Sequence, residues 1–450
     1  MRRLLLFFCL LLAVPSTLFA LERQPSSDYH ARRVALAAKL GGGVAILFAA
    51  PEPLLDFMPY RQDSDFYYLT GWNEPGAALL VQAAAPAEFD FPARPYREVL
   101  LLPTRDLRME KYTGEKLDAE SPDAAKKTGV EEVLSMTELP SVLNKLLRAD
   151  RTLARKLWSQ QDIPQSTALV TWTASTLGMD TAPAFADVRS LTMGLRTVKD
   201  PGEIALLKKA ADASIGAQLA AMKAIKPGVG ERTIDGLILY KLLENGCERP
   251  SYAPIVGSGV YSTELHYSND GKTMENGDVV VIDAAGEYSM YASDITRTMP
   301  VNGRFTARQK EIYNIVLGAQ QAARDAFVAG KFLMGDPRHR GTDVKDTLDN
   351  VAYQYINTHG KDLHGQPLGQ YFVHGLGHSV GIDVHDPMDY ANVKLDKGMV
   401  FTIEPGIYIP EENLGVRIED VFYVDNEGKL VDLIAGLVHA PEKVEAAMRP

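Results

Sequence analysis

Five acidic and imidazole side chains in the C-terminal part of the chain could together hold metal ions. Each belongs to a segment that reads as a β-strand or the end of one. A carboxylate inside an apolar strand is costly to bury unless a partner neutralises it. Four carboxylates carry a formal charge of −4, which two divalent cations would balance. The sequence therefore predicts a two-metal site made by Asp283, Asp294, His378, Glu404 and Glu419.

The first two candidate ligands lie on either side of a predicted turn. Asp283 and Asp294 are 11 positions apart, with Gly286 in the turn between them. In a hairpin, strands on either side of such a turn bring these positions level, so both carboxylates can face one cavity. The alternative is that each aspartate only closes a turn or bonds to the backbone. Ile282 and Ile295 are direct neighbours of the two aspartates, which favours strands over open loops.

Histidines cluster in the segment 374–385. His374 and His378 have a spacing that is typical of zinc ligands on a helix, but the two glycines of HGLGH make a helix improbable. His385 follows seven residues later. We expect one metal ligand and two partners that bind no metal; the alternative is a set of loop histidines satisfied by hydrogen bonds. For His266, in ELHY, the residues alone favour a packing or capping role.

The two glutamates lie in apolar strands near the C-terminus. Glu404 stands in IEPGIY and Glu419 in RIED. A structural ion pair between Glu404 and Arg417 is the alternative, but it would leave Glu419 buried and unpaired. Ligation that is rich in oxygen, with a single imidazole, favours Mn²⁺, Co²⁺ or Fe²⁺ and admits Zn²⁺.

Two domains are predicted to position these residues. Residues 24–190 alternate short apolar runs with helical stretches, which predicts a small α/β domain. A strong helix start follows, with Asp200 as N-cap, Pro201 in the first turn and Glu203 completing a capping box. We place the second domain at residues 198–445. There, helices around a curved, mostly antiparallel sheet would bring the ligands together, so the predicted fold class is α+β.

Composition narrows the range of partners. Hydrophobic residues make up 46% of the 450 residues and the net charge is −11, as in an ordinary globular protein. The chain has no long run of lysine or arginine, so nucleic acid is not an expected partner. Beyond the first twenty residues the only cysteine is Cys247, which we interpret as a bystander with no disulfide partner.

The N-terminus has the pattern of an export signal. Arg2 and Arg3 precede an apolar run over residues 4–14, and Ala20 precedes a polar stretch. Such a run suits a signal peptide and is shorter than the roughly 20 residues of a spanning helix. We predict a signal peptide over residues 1–20 and a periplasmic or secreted protein, with an uncleaved anchor as the alternative. No second transmembrane candidate is visible in the sequence.

With these motifs assembled, the chain resembles the aminopeptidase P members of the pita-bread metallopeptidases. The order Asp, Asp, His, Glu, Glu matches that family's catalytic domain, and RQDSDFYYLTGWNEPGAALLV, residues 61–81, resembles the signature of its N-terminal domain. The resemblance covers nearly everything after the signal. It implies a pita-bread catalytic domain preceded by the smaller α/β domain.

The resemblance also implies roles for single residues. Asp294 and Glu419 would bridge two metal ions, Asp283 would complete the first site, and His378 and Glu404 would hold the second. Further implied are catalytic roles for His266, His374, His385 and Glu404, and substrate binding by Arg417 and Tyr408.

The expected function is hydrolysis of the bond between an N-terminal residue and a following proline, with a metal-bridging hydroxide as nucleophile. The expected cofactors are two divalent ions, foremost Mn²⁺, and the expected partners are peptides with proline at position two. The resemblance implies a homo-oligomer, a dimer or a tetramer. Two alternatives stay open: a prolidase-like Xaa-Pro dipeptidase, and an inactive relative that only binds peptides.

Overall fold

The structure is a computed structural model that describes residues 21–52, 59–87, 93–149, 153, 156–178, 185–341 and 346–449. The predicted signal peptide, residues 1–20, lies outside the described residues. Within the described part, no helix is both long enough and apolar enough to cross a membrane.

The N-terminal part is built on one six-stranded sheet with helices around it. Its elements are α1 (Ser26–Lys39), β1 (Val44–Phe48), α2 (Ser64–Thr70), β2 (Ala78–Gln82), β3 (Arg97–Leu102), α3 (Glu110–Thr113), α4 (Ala124–Thr128), β4 (Glu132–Ser135), α5 (Leu139–Ala149), β5 (Leu157–Ser159), α6 (Pro164–Leu177), β6 (Ala186–Asp187) and α7 (Arg189–Arg196). The strand order is β4-β3-β2-β1-β5-β6, with β2 antiparallel to both neighbours and the outer pairs parallel. The central strands are buried on both faces, as expected of short apolar runs between helices.

The C-terminal part contains long helices and several small antiparallel sheets. Its elements are α8 (Pro201–Ala224), α9 (Glu231–Glu244), β7 (Arg249–Pro250), β8 (Ile255–Ser258), β9 (Val279–Asp283), β10 (Gly286–Tyr288), β11 (Tyr291–Ala292), β12 (Thr296–Pro300), α10 (Ala307–Ala326), α11 (Leu348–His359), β13 (Val400–Ile403), β14 (Gly406–Ile409), β15 (Leu414–Arg417), β16 (Asp420–Val424), β17 (Leu430–Asp432) and α12 (Pro441–Ala447). The sheets are β12-β9-β8, β13-β16-β17, β14-β15 and β11-β10-β7. This mixed architecture confirms the predicted fold class.

The predicted start of α8 is confirmed. Asp200 accepts a hydrogen bond from the Glu203 amide at 2.9 Å, and its own amide donates to Glu203 Oε2 at 3.0 Å, which completes the capping box. The two parts of the chain share a hydrophobic core, since Leu47 and Phe66 belong to the same buried cluster as Leu207. The N-terminal and C-terminal parts of the chain therefore pack against each other through this core.

The predicted hairpin around Gly286 is wrong in detail. Gly286 begins a separate short strand, β10, and the tight turn lies at Ser289 and Met290, whose φ angles are 49° and 72°. This inserted hairpin pairs with β7 rather than with the longer strands. As a result Asp283 lies opposite Thr296, and not level with Asp294.

Cys247 is buried and free, as expected of a bystander. Burial raises the pKa of its thiol to about 12, helped by the charge of Glu248. The thiol therefore stays protonated and unreactive at neutral pH.

Candidate active site

The two aspartates are positioned by neighbouring strands. Asp283 is the last residue of β9, and Asp294 lies two residues before β12 begins. Beyond the paired strands, the Ala284 amide still donates to the Ile295 carbonyl at 3.0 Å. This bond keeps the two strand segments together past the last paired residues of β9 and β12, so both carboxylates reach the same cavity.

Tyr252 joins these carboxylates directly. Its hydroxyl lies 2.5 Å from Asp283 Oδ1 and 2.6 Å from Asp294 Oδ1. Burial, followed by the negative charge of Asp283, raises the pKa of Tyr252 well above its usual value. The phenol therefore stays protonated and serves as a donor between two acids. No sequence pattern singles out this residue.

The glutamates come from two paired strands. Glu404 directly follows β13 and Glu419 directly precedes β16, strands that pair Ile403 with Asp420. The Glu419 amide donates to the Thr296 carbonyl at 3.1 Å, and Thr296 Oγ1 donates to Glu419 Oε2 at 2.6 Å. Thr296 thus connects the sheet that carries the aspartates to the sheet that carries the glutamates.

His378 completes the group. Its Nε2 lies 3.3 Å from Asp294 Oδ2 and 3.3 Å from Glu404 Oε1. Its Nδ1 lies 3.2 Å from the Ser379 carbonyl, which accepts a hydrogen bond from that nitrogen and leaves Nε2 to face the acids. Burial alone would lower the pKa of His378, but the bond to Asp294 and the charge of Glu404 raise it to about 9.

The acids at this site have too little positive charge around them. Burial, then the neighbouring carboxylates, raises the pKa of Glu419 well above its usual value; burial also raises that of Asp283, and that of Glu404 to about 7. The potential ligand atoms of Asp294, His378 and Glu419 all lie within 4.8 Å of one another. Buried oxygens in excess of nearby cations, with one imidazole among them, fit divalent metal ions.

Arg417 supplies a fixed cation at the edge of the site. Its Nη2 donates to Asp283 Oδ2 at 2.7 Å, and its Nη1 donates to the Tyr408 hydroxyl at 2.8 Å. The alternative prediction of a Glu404–Arg417 pair is therefore wrong. Arg417 bonds directly to Asp283 and acts on Glu404 only through the longer-range attraction of its charge.

His374 continues this chain of hydrogen bonds. Its Nδ1 lies 2.8 Å from the Gly375 carbonyl, so the proton belongs on Nδ1 and Nε2 accepts from the Tyr408 hydroxyl at 2.8 Å. Burial and the charge of Arg417 lower the pKa of His374 to about 3. The imidazole is therefore neutral at physiological pH. As predicted, the HGLGH segment is not helical.

The site opens into a cavity of about 630 Å³. His385 lies at its wall with its ring 4.0 Å from that of His378, centre to centre, and His266 approaches from the loop before β9. Burial and the nearby His378 lower the pKa of His385. Tyr408 is buried beneath the cavity and does not line it. The other predicted site residues line it: His266, Asp283, Asp294, His374, His378, His385, Glu404, Arg417 and Glu419.

Comparison with known proteins identifies the family. Residues 205–426 match the model of metallopeptidase family M24, and residues 29–154 match that of the aminopeptidase P N-terminal domain. The Xaa-Pro aminopeptidase of Escherichia coli is 35% identical over 94% of this chain and 97% of that enzyme. This chain belongs to the aminopeptidase P branch of family M24. It is thus a metallo-aminopeptidase by family, and the predicted resemblance is confirmed. Both matches lie inside the predicted domains, 24–190 and 198–445, whose ends stay predictions.

Solved structures of the same family have the same fold. A putative aminopeptidase P from Bacillus anthracis superposes with a TM-score of 0.82 at 26% identity, covering 95% of this chain and 99% of that one. The low-pH form of Escherichia coli aminopeptidase P gives 0.81 at 32% identity, with the same coverage. These likenesses confirm the pita-bread catalytic domain and the N-terminal domain before it.

Proposed function

We propose that this member of the aminopeptidase P branch is an exported two-metal Xaa-Pro aminopeptidase. It removes one residue from the N-terminus of peptides whose second residue is proline. The observation that carries the proposal is the convergence of four carboxylates and an imidazole on one cavity. The end-to-end similarity to the Escherichia coli enzyme supports the choice of substrate.

The five predicted ligands would hold the metal ions. Asp294 and Glu419 are the most central carboxylates, with Asp283 on one side and His378 and Glu404 on the other. Two bound divalent cations would lower the pKa of a water molecule toward neutrality and polarise the scissile carbonyl. Mn²⁺ is the proposed ion, since oxygen ligands predominate.

Glu404 is the proposed proton carrier. It lines the cavity, and Thr402 Oγ1 donates to its Oε1 at 3.1 Å, which fixes the carboxylate. As water attacks the carbonyl carbon, Glu404 takes up the proton that the water loses. It then delivers that proton to the prolyl nitrogen as the C–N bond breaks. The imidazole of His385 or His266 donates a hydrogen bond to the developing oxyanion.

The peptide bond before proline needs a dedicated pocket. The prolyl nitrogen in a peptide carries no hydrogen, and the proline ring restricts the backbone. Peptidases that require a hydrogen bond from that N–H therefore cannot cleave such bonds. The cavity lining combines imidazoles with apolar side chains, among them Leu265 and Val384. Such a surface can pack against the ring and leave the scissile carbonyl facing the acids.

Mass-spectrometric product analysis tests the proposal. A panel of Xaa-Pro-Xaa peptides, with Xaa-Ala-Xaa controls, should be incubated with the protein loaded with Mn²⁺, Co²⁺ or Zn²⁺. We expect loss of one N-terminal residue from the proline peptides only. Absence of any cleavage with all three metals would instead favour an inactive, peptide-binding relative.

Comparing dipeptides with longer peptides separates the second candidate, an Xaa-Pro dipeptidase. The Xaa-Pro dipeptidase of Pyrococcus furiosus is 37% identical but covers only 54% of this chain. The aminopeptidase relative covers the N-terminal domain as well, which supports the longer substrates. Activity confined to Xaa-Pro dipeptides would replace the leading assignment.

Export and assembly are further parts of the proposal. The charged start and the apolar run over residues 4–14 support a cleaved signal and a periplasmic or secreted enzyme. Sequencing the N-terminus of protein from a periplasmic fraction should give Leu21 as the first residue. An unprocessed N-terminus would favour the anchor. Light scattering should show the proposed dimer or tetramer.

A further inference from the structure

The signature segment over residues 61–81 has no part in the chemistry derived above, yet it contacts the loop that carries His385. Its side chains reach the turn formed by residues 381–386, the segment that carries His385. The direct contacts include Ser64 Oγ to Asp383 Oδ1 at 2.6 Å and Arg61 Nη2 to the Ile382 carbonyl at 2.8 Å. The N-terminal domain therefore borders the catalytic cavity through this turn.

Arg196, at the end of α7, makes the strongest connection. Its Nη2 lies 2.6 Å from Asp383 Oδ2 and 2.6 Å from Asp386 Oδ1, while its Nη1 lies 3.0 Å from Asp65 Oδ1. Arg196 is 3% exposed, and Asp65 and Asp386 are buried as well, so its bonds to these two carboxylates are shielded from water. Asp383 is about one third exposed. The two aspartates of the turn are the residues on either side of His385 in the loop, two positions before it and one after.

Asp386 also holds the turn from within. Its Oδ1 accepts from the Asp383 amide at 3.2 Å, and its own amide donates to the Ser379 carbonyl at 2.9 Å. Lys199 Nζ donates to its Oδ2 at 3.1 Å. A Cβ on Gly381 would lie 2.7 Å from the carboxyl carbon of Asp386, so the turn closes tightly over this group. The backbone that carries His385 has little freedom while these bonds hold.

We propose that Arg196, supported by Asp65 and Ser64, is a positioning residue for His385. The N-terminal part of the chain, through α7 and α2, braces the turn 381–386 from outside the cavity and so sets where the imidazole stands relative to the scissile carbonyl. A displacement of about 1 Å at a reacting group can cost on the order of 100-fold in rate, so a brace of this kind affects turnover. The inference deepens the proposed function and rests on the role proposed there for His385.

Steady-state kinetics of the metal-loaded enzyme on Xaa-Pro-Xaa peptides test the inference. Arg196→Met should lower kcat at least about tenfold while KM changes less than about threefold, the split expected when a transition-state contact is lost. Metal content should stay at the wild-type value. Arg196→Lys keeps the charge and should recover part of the loss. Ser64→Ala removes one direct bond to the turn, so its loss in kcat should be smaller, about two- to fivefold.

A double-mutant cycle with His385→Ala separates positioning from general destabilisation. Without the imidazole, Arg196→Met should cause little further loss of kcat. The matched control is Arg33→Met, which breaks a buried pair with Glu98 that lies wholly within the N-terminal domain. Its effect on kcat should be the same with and without His385.

Three results would overturn the inference. One is a folded Arg196→Met enzyme with wild-type kcat. Another is losses for Arg196→Met and His385→Ala that multiply in the double variant. The third applies if Arg196→Met fails to fold: it is a wild-type kcat in both Arg196→Lys and Ser64→Ala. An inactive wild-type protein would remove the proposed function itself, an outcome distinct from an active enzyme that is indifferent to these changes.

Discussion

At the scale of single residues, the site is defined by which groups bond to the acids and which do not. Asp283 is bonded directly to Arg417, whereas the groups nearest to the Glu404 carboxylate are the Thr402 hydroxyl at 3.1 Å and the imidazoles of His378 at 3.3 Å and His374 at 3.9 Å. Glu404 is therefore the acid with the freedom to exchange a proton. Glu419 is held by Thr296 and is suited to a fixed, structural bond to metal.

Replacing Glu419 tests its role as a ligand. Glu419→Gln keeps the shape and removes the charge, so bound metal per chain should fall and activity should drop by at least about 100-fold. Elemental analysis and peptide turnover measure both. Glu427→Gln, at an exposed surface pair with Lys429, is the control and should match the wild type. Full metal content with normal turnover in Glu419→Gln would show that another group bridges the ions.

His385 should affect turnover rather than metal binding. It lies beside His378 but makes no contact with the carboxylates that is comparable to the 3.3 Å approaches of that residue. His385→Ala should therefore lower kcat by about 10- to 1000-fold, with metal content retained. Kinetics paired with elemental analysis decide the point. A collapse of metal occupancy would make His385 a ligand.

At the scale of secondary-structure elements, α8 contains a buried acid that is sensitive to pH. Burial raises the pKa of Glu203 from 4.5 to about 7, although Arg32 opposes the shift. Between those values the folded chain holds a proton that the unfolded chain has released, so the free energy of unfolding falls as pH rises through this window.

Glu203→Gln should abolish this decrease in the free energy of unfolding with rising pH. The difference in free energy of unfolding between the variant and the wild type should shift in favour of the variant by about 2–3 kcal/mol from about pH 5 to about pH 8. Urea unfolding of both proteins at the two pH values measures it. The control is Glu138→Gln, an exposed glutamate in the capping box of Ser135, which carries no comparable burial cost. Parallel pH profiles for wild type and Glu203→Gln would contradict the expected linkage.

The elements also show what the sequence could predict. A carboxylate beside isoleucine in an apolar strand is visible as an anomaly, which is why Asp283 and Glu419 could be recognised from the residues alone. Tyr252 could not, because a tyrosine before a strand is ordinary and its role arises only where two acids converge on it. The inserted hairpin was missed because Ser289 and Met290 are not typical of positive φ angles.

At the scale of the whole molecule, metal and stability are linked. The four acids come from segments far apart in the chain, so their mutual repulsion acts between sheets that the fold must hold together. Chelation with EDTA should abolish activity and lower the melting temperature, and added Mn²⁺ should restore both. Calorimetry with and without EDTA makes the comparison. An identical melting curve would mean that the acids tolerate one another without metal.

The number of metal ions bound per chain decides whether these residues form a two-metal centre. Metal-free protein should be titrated with Mn²⁺ under native mass spectrometry while turnover of an Xaa-Pro-Xaa peptide is followed. We expect two ions bound per chain, with activity reaching its plateau as the second is taken up. Full activity in protein that holds no metal, or saturation at a single ion, would contradict a paired-cation centre formed by these five residues.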